Sequence, residues 1–205
     1  MHREHKLSTD KPTTFEREIK IDVNDAVLRD KLVPQNYYRL FSLVIDTYFD
    51  TNRMEMLETD EVLRVRQIDN SYYLSYKGKR EIDIDNIVSR TEHKLSVENE
   101  IIYSIIQRFF IIRDIVEKKR ALIHDKLFPK LIIYYDNYPF IGNYIEVEGD
   151  PTEIKKYIKY YQIPLSSLER RNCTEIFIEF CKANGIYFNN IRCAFKFKNE
   201  SGAFL

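Results

Sequence analysis

The sequence is poor in residues that mark several large classes of nucleotide-binding and extracellular proteins. Its 205 residues include five glycines and no tryptophan, and they contain neither a P-loop nor a Rossmann fingerprint. Scarce glycine argues against a glycine-rich loop that wraps phosphates with backbone amides. The three cysteines, Cys173, Cys181 and Cys193, lack C-x-x-C spacing. We therefore expect three reduced and partly buried thiols.

The sequence also has no long apolar run and no excess of either charge. No segment approaches the length of a membrane span, and the polar residues 1–11 lack the apolar region of a signal peptide. Lysine and arginine total 32, as do aspartate and glutamate, so the net charge gives no indication of a membrane or nucleic-acid partner. We expect a cytoplasmic protein that binds neither.

Strand-like segments dominate the chain. The hydrophobic fraction of 44% and the charged fraction of 31% are typical of one globular domain. Strands are predicted at roughly 14–21, 43–49, 61–69, 71–79, 87–94, 112–123, 130–138 and 143–149. Helices are predicted at roughly 22–33, 96–110, 150–161 and 167–184. Many strands with short connections favour an antiparallel sheet, barrel or sandwich.

Two of the predicted strands carry pairs of carboxylates on one face. Side chains two residues apart on a strand point the same way, so Glu16 and Glu18 share a face, as do Glu146 and Glu148. Paired carboxylates are unfavourable to bury unless a positive group lies between them. Because hard divalent cations prefer carboxylate oxygens, these four glutamates are candidate metal ligands.

Other predicted strands carry charged side chains that alternate with apolar ones. The basic set is Lys20, Arg64, Arg66, Lys77, Arg90, Lys118 and Arg120, and the acidic set also includes Glu92 and Asp136. Any one of these strands alone is typical of an amphipathic sheet with its charges in water. Six together favour a curled sheet with a charged lumen, which suits phosphate oxygens and a divalent ion that bridges them.

The order of these residues resembles the CYTH family, which joins class IV (CyaB-type) adenylyl cyclases with thiamine triphosphatases among the triphosphate tunnel metalloenzymes. The resemblance extends over about residues 15 to 180. Its motifs are Glu16-x-Glu18-x-Lys20, Asp46-Thr-Tyr48-Phe-Asp50, Leu63-Arg64-x-Arg66, Tyr76-Lys77-Gly78, Arg90-x-Glu92, Val116-x-Lys118-x-Arg120, Asp136 and Gly142-Asn-Tyr-Ile-Glu146-x-Glu148.

The resemblance implies an α+β fold, in which a closed eight-stranded antiparallel β-barrel forms the triphosphate tunnel and helices pack outside. It divides the chain into a flexible leader at 1–13, the tunnel domain at 14–185 and a tail of unknown role at 186–205. The residues Arg170-Arg171-Asn172-Cys173 depart from the Ser-Tyr or Arg-Tyr pair that the family often has near this point.

The resemblance also assigns roles to the charged residues, with Mg²⁺ or Mn²⁺ as the cofactor. The seven basic residues of the set above would bind phosphates. The metal-side acids would be Glu16, Glu18, Glu146 and Glu148, with Glu92 and Asp136 supporting them. Lys20 and Tyr48 resemble a pair that activates water, since a lysine can lower the pKa of a neighbouring phenol. An ordinary structural role for Tyr48 in the barrel wall is an equal alternative.

The implied function is a divalent-metal-dependent enzyme that acts on a small triphosphate. The first hypothesis is hydrolysis of a nucleoside, thiamine or inorganic triphosphate, such as ATP, thiamine triphosphate or tripolyphosphate. The second is a class IV adenylyl cyclase that converts ATP to cyclic AMP and pyrophosphate, and the third is a non-catalytic polyphosphate-binding module. Zero net charge argues against an RNA 5′-triphosphatase. The sequence leaves open whether the protein forms a homodimer.

Overall fold

The structure, a computed structural model, describes residues 14–33, 41–97, 100–186 and 193–197. The expected leader at 1–13 and most of the expected tail lie outside these residues. The described strands are β1 (Thr14–Asp22), β2 (Ser42–Asp50), β3 (Val62–Ile68), β4 (Ser71–Lys77), β5 (Glu81–Ile82), β6 (Val88–Val97), β7 (Ile111–Ile123), β8 (Ile132–Tyr138), β9 (Gly142–Glu148), β10 (Leu168–Glu169) and β11 (Cys193–Phe195). The described helices are α1 (Ala26–Leu32), α2 (Glu55–Thr59), α3 (Ile101–Ile106), α4 (Pro151–Tyr160) and α5 (Cys173–Ala183).

Eight of these strands close into the predicted antiparallel barrel. Their order around it is β1-β9-β8-β7-β2-β3-β4-β6, and β6 pairs with β1 to complete the circle. All eight correspond to strands predicted from the sequence. Full closure leaves the central sheet without a free edge along most of its length, and it encloses a lumen lined by every second side chain.

The apolar face of the barrel packs outward against the helices. On β1 and β9, Ile19 and Val147 are fully buried in the main hydrophobic cluster, which Ile154 and Tyr157 of α4 complete. On β3, Val65 is buried beneath α3 in a smaller cluster. The neighbouring charged residues of each strand consequently face the lumen, as the period of two predicts.

Local sequence signals account for the start of α4, and long-range pairing changes the ends of two other helices. Asp150 caps α4, because its side chain accepts a hydrogen bond from the Thr152 amide at 2.9 Å. The helix predicted at 167–184 begins later, at Cys173, because Leu168–Glu169 pairs with β1 as β10. The helix predicted at 96–110 is likewise shorter, because β6 extends to Val97.

Helix α5 closes one rim of the barrel. Because neighbouring strands are antiparallel, β1 and β8 end at the rim where β7 and β9 begin. The side chains of Cys173, Ile176 and Phe177 pack there against Val116 and Tyr144 in a third cluster. The N-terminus of α5 therefore lies at one end of the lumen.

Part of the expected tail adds a strand to the barrel wall. Residues 193–195 form β11, which pairs in parallel with residues 114–116 of β7. β8 pairs with β7 only from Lys119 onward, so β11 covers an edge that the barrel leaves open. This strand, β5, β10 and α2 were not predicted from the sequence. None of the described helices has the length and apolar character needed to cross a membrane.

Candidate active site

The barrel lumen contains a strongly charged cavity. Thirteen of the fourteen site residues predicted from the sequence line it, and Asp136 is the exception. The lining residues are Glu16, Glu18, Lys20, Tyr48, Arg64, Arg66, Lys77, Arg80, Val88, Arg90, Glu92, Lys94, Lys118, Arg120, Tyr134, Tyr138, Glu146, Glu148, Glu169, Arg170, Arg171, Asn172 and Cys173. The structure thus brings together side chains from opposite ends of the sequence.

Three carboxylates converge on the wall formed by β1 and β9. Glu18 lies directly opposite Glu148 in the strand register, and Glu16 precedes Glu18 on the same face. One oxygen from each of Glu16, Glu18 and Glu148 lies within 4.8 Å of the others. This spacing and donor type suit a hard divalent cation that bridges the three side chains.

The negative charges of Glu16, Glu18 and Glu148, which we call the acidic corner, are incompletely balanced by basic side chains of the protein. Burial, followed by the negative charges of Glu18 and Glu146, raises the pKa of Glu148 from 4.5 to about 7. Burial and the charges of Glu16 and Glu146 likewise raise the pKa of Glu18. Both shifts mean that the folded protein disfavours the ionised form of these groups. A bound cation would reverse that preference.

Glu16 differs from its two neighbours because it already has two basic partners. Its carboxylate accepts hydrogen bonds from Lys77 Nζ at 2.5 and 2.7 Å and from Arg90 Nε at 3.1 Å. Burial would raise the pKa of Glu16, but the charges of Lys77 and Arg90 outweigh it and lower the pKa to about 2. Glu92 joins this group, with its carboxylate 3.5 Å from Lys77 Nζ.

Two arginines on β3 are oriented by Asp46 on β2. Asp46 is 1% exposed and accepts hydrogen bonds from Arg66 Nε at 2.7 Å and Arg66 Nη2 at 2.8 Å. Arg64 Nη1 lies 3.6 Å from the same carboxylate. Burial opposes ionisation of Asp46, but the two arginines hold its pKa well below its usual range. Asp46 therefore stays charged and fixes both guanidinium groups.

Asp136 plays the equivalent part for the basic residues of β7. Its fully buried carboxylate accepts hydrogen bonds from Lys118 Nζ at 2.8 Å and from Arg120 Nε at 2.6 Å, and Tyr138 Oη lies 3.2 Å away. Glu146, in the lining, accepts a hydrogen bond from Arg120 Nη2, which also donates to Asp136. Burial is again outweighed by Lys118 and Arg120, which lower the pKa of Glu146 well below its usual range. Asp136 thus lies behind the lining and contacts basic side chains, a position that differs from that expected of a supporting metal ligand.

Lys20 and Tyr48 both face the cavity near α5, but their surroundings differ from those of an activated pair. Lys20 Nζ donates a hydrogen bond to the carbonyl oxygen of Arg171 at 3.1 Å. Burial, and after it the charges of Cys173 and Asp46, raise the pKa of the Tyr48 phenol well above 10. The guanidinium of Arg113 lies 5.7 Å from the ring centroid. In this arrangement Tyr48 stays neutral.

Several lining residues were not predicted as site residues. Tyr134 covers Arg120, whose guanidinium carbon lies 4.2 Å from the ring centroid. Arg80 follows β4 and reaches the rim near α5, together with Arg170 and Arg171. The sequence offers no periodic signal for these three arginines, because they lie in connections between elements. Asp46 belongs to a motif quoted above, but its role depends on the pairing of β2 with β3.

A family model described as the CYTH domain matches residues 15–186. The chain belongs to the CYTH family. The match covers the whole barrel and α5 and ends before β11. This family assignment agrees with the resemblance inferred from the motifs.

Solved structures share the CYTH fold of this chain. The PH1819 protein of Pyrococcus horikoshii OT3 has a TM-score of 0.63 at 22% identity, covering 80% of this chain and 98% of that chain. A proposed adenylate cyclase from Vibrio parahaemolyticus has a TM-score of 0.62 at 16% identity, covering 82% of this chain and 99% of the other. HpAC1 from Hippeastrum, a proposed adenylyl cyclase with a dominant triphosphatase activity, has a TM-score of 0.59 at 18% identity, with coverages of 85% and 98%. Among curated proteins, no match to this CYTH chain is found.

Proposed function

We propose that this CYTH protein is a divalent-metal-dependent triphosphatase whose substrate lies along the axis of the barrel. The observation that carries the proposal is the convergence of Glu16, Glu18 and Glu148 within 4.8 Å, in a cavity otherwise rich in basic side chains. An acidic corner that can hold a metal, beside a wall of basic side chains, is the arrangement needed to bind a metal-bound polyphosphate and to stabilise negative charge during phosphoryl transfer.

The donor chemistry of the acidic corner fits Mg²⁺ or Mn²⁺. Glu18 and Glu148 have raised pKa values because buried negative charges face each other, so a cation between them would relieve repulsion. Glu16 keeps its charge through Lys77 and Arg90 and remains able to offer an oxygen. When bound, the metal would neutralise phosphate oxygens and polarise the phosphorus–oxygen bond. These three glutamates would hold it.

The basic residues on the other strands of the barrel would bind the phosphates. Eleven lysine and arginine side chains line the cavity, against six glutamates, so the lining has a positive excess. Asp46 and Asp136 orient the basic residues of β3 and β7 from behind. Pre-oriented guanidinium groups lose little rotational freedom when they donate two hydrogen bonds to a phosphate in bidentate geometry. In this proposal Asp136 acts on the metal centre only through these cations.

The reaction would transfer the terminal phosphoryl group to water. The water oxygen forms a bond to the terminal phosphorus, the bridging phosphorus–oxygen bond breaks, the water proton passes to solvent, and orthophosphate and the shortened phosphate chain leave. Lys20 would stabilise negative charge near α5. Because burial keeps Tyr48 protonated, we assign it the role of a hydrogen-bond donor instead of a phenolate base.

One assay separates the three functions considered. Wild-type protein is supplied with ATP, thiamine triphosphate or tripolyphosphate, with Mg²⁺ or Mn²⁺, and the products are identified. Orthophosphate release supports the triphosphatase. Cyclic AMP and pyrophosphate from ATP would establish the cyclase instead, and binding without turnover would establish a non-catalytic module.

The matched variants for this assay are Glu148→Gln in the acidic corner and Glu58→Gln on the exposed face of α2. Glu148→Gln should abolish metal-dependent turnover while the fold remains intact, because an amide is a poorer metal ligand than a carboxylate. Glu58→Gln should behave as wild type. Wild-type turnover by Glu148→Gln would remove Glu148 from the site.

A further inference from the structure

Arg80 forms an ion-pair clamp with Asp60 and Glu175 at the rim closed by α5. Its Nε lies 2.9 Å from both oxygens of Asp60, and its Nη2 lies 2.8 Å from Asp60 Oδ1. On the other side, Nη2 and Nη1 donate to the two oxygens of Glu175 at 3.1 and 3.3 Å. Nη1 also donates to the carbonyl oxygen of Arg170 at 3.3 Å.

These contacts use most of the donor capacity of the guanidinium group. All three of its nitrogens donate to Asp60, Glu175 or the Arg170 carbonyl, and Asp60 Oδ1 lies a further 2.8 Å from Nη2. A phosphate would have to compete with two carboxylates for Arg80. Although Arg80 lines the cavity, its geometry therefore indicates a role other than direct phosphate binding.

The clamp fixes the segment that precedes α5, residues 170–172, which we call the floor segment. Glu175 accepts a hydrogen bond from the Asn172 amide at 2.6 Å, and Asn172 in return caps the Glu175 amide at 2.9 Å. This reciprocal capping box couples the Arg80 clamp directly to the floor segment. The backbone conformation of the floor segment is thus held at two points, the Arg170 carbonyl and the Asn172 amide.

The floor segment in turn holds Lys20. The Lys20 ammonium donates to the Arg171 carbonyl, which lies between the two points that the clamp fixes. A long lysine side chain has high rotational freedom, so one fixed acceptor restricts where its charge lies in the cavity. A continuous series of direct contacts therefore connects Arg80 to Lys20.

We propose that Arg80 is a positioning residue, which places the Lys20 ammonium against the polyphosphate by fixing the floor segment. The inference rests on the proposed function, since it assigns Lys20 a contact with the substrate. The positioning role requires the planar guanidinium group of Arg80. One lysine ammonium cannot bridge the carboxylates of Asp60 and Glu175 and the Arg170 carbonyl with the same geometry.

A double-mutant cycle tests the inference. Arg80→Ala, Arg80→Lys, Lys20→Ala and the two double variants are compared with wild type, and Arg53→Ala in an exposed loop serves as the matched control. The readouts are kcat and KM for orthophosphate release from tripolyphosphate with Mg²⁺, and the Kd of tripolyphosphate by calorimetry in EDTA. Thermal unfolding identifies any variant that fails to fold.

We expect Arg80→Ala and Arg80→Lys each to lower kcat/KM and weaken tripolyphosphate binding by about tenfold in the wild-type background. In the Lys20→Ala background the same changes should alter either quantity by less than about threefold. A residue with a merely structural role would lower both quantities equally in the two backgrounds. Arg53→Ala should match wild type.

Three results would overturn the inference. Wild-type behaviour of Arg80→Lys would mean that only its charge matters, and an equal effect of Arg80→Ala in both backgrounds would mean that Arg80 acts independently of Lys20. Absence of tripolyphosphate binding by wild type would contradict the proposed function, and this inference with it. If Arg80→Ala does not fold, Glu175→Gln breaks the same series of contacts and replaces it in the cycle.

Discussion

The carboxylate of Asp46 accepts both the Nε and the Nη2 hydrogen bonds of Arg66, at 2.7 and 2.8 Å. This fork-to-fork pair lies behind the cavity lining, and Asp136 repeats the arrangement with Arg120. Buried acids therefore orient cations that face the lumen. Under the proposed function, the basic wall that would bind phosphates is oriented before any substrate arrives, and each orienting acid becomes a direct target for mutation.

Asp46→Asn should weaken both the fold and the binding of polyphosphate. The variant leaves two largely buried guanidinium groups without their counterion, which we expect to lower the free energy of unfolding by about 3 kcal/mol. Saturating tripolyphosphate should stabilise Asp46→Asn less than wild type, because guanidinium groups that are no longer held by Asp46 bind it more weakly. Thermal unfolding with and without tripolyphosphate measures both effects. Equal stabilisation of the two proteins would contradict pre-orientation by Asp46.

Glu148→Gln should stabilise the metal-free protein while removing its response to metal. Because the pKa of Glu148 is raised to about 7, its ionised form destabilises the folded state above that pH, and the effect disappears below the unfolded value of 4.5. We expect Glu148→Gln to be about 1–3 kcal/mol more stable than wild type at pH 8 in EDTA, and equally stable near pH 4.5.

Urea unfolding at the two pH values, with EDTA or Mg²⁺, checks this prediction. Mg²⁺ should stabilise wild type at pH 8 and leave Glu148→Gln nearly unchanged. Lower stability of Glu148→Gln at pH 8 in EDTA would show that Glu148 makes a favourable contact that outweighs the repulsion.

Tyr48→Phe should retain most of the turnover. A neutral phenol that donates one hydrogen bond contributes modestly, so we expect kcat to fall by no more than about tenfold. Loss of a general base instead lowers rates by about 10²–10⁴-fold. Steady-state kinetics with tripolyphosphate separates the two cases, and a loss in the larger range would restore the phenolate hypothesis.

Removal of residues 187–205 should destabilise the barrel and promote self-association. We propose that residues 193–197 serve to cover the edge of β7, where β11 pairs and the Phe197 amide donates to Glu117 at 2.9 Å. An uncovered strand edge can pair with another chain. We expect a loss of about 1–2 kcal/mol and formation of dimers or larger species. Removing only 198–205 is the matched control, and light scattering with thermal unfolding distinguishes the two truncations.

The barrel and the cavity lining were predictable because they depend on a local pattern. Alternation of Glu16 and Glu18 with Arg17 and Ile19 assigns each side chain to a face, whichever strands become neighbours. The same parity correctly predicted that the basic residues of β3 and β7 point inward.

The remaining features depend on contacts between distant parts of the chain. The Arg80 clamp joins residues separated by 20 and 95 positions, so no local spacing indicates it. The late start of α5 follows from pairing of β10 with β1. The neutral state of Tyr48 follows from its partly buried position beside Cys173 and Asp46, which a strand pattern does not specify. Asp136 was expected near the metal because its charge was known and its partners were not.

The most direct test of the account is the position of Mn²⁺ in crystals grown with tripolyphosphate, located by anomalous scattering. We expect a Mn²⁺ peak within about 2.3 Å of carboxylate oxygens of Glu18 and Glu148, with the polyphosphate extending along the barrel axis between Arg66 and Lys118. Mn²⁺ bound away from these glutamates, or tripolyphosphate bound outside the barrel, would contradict it.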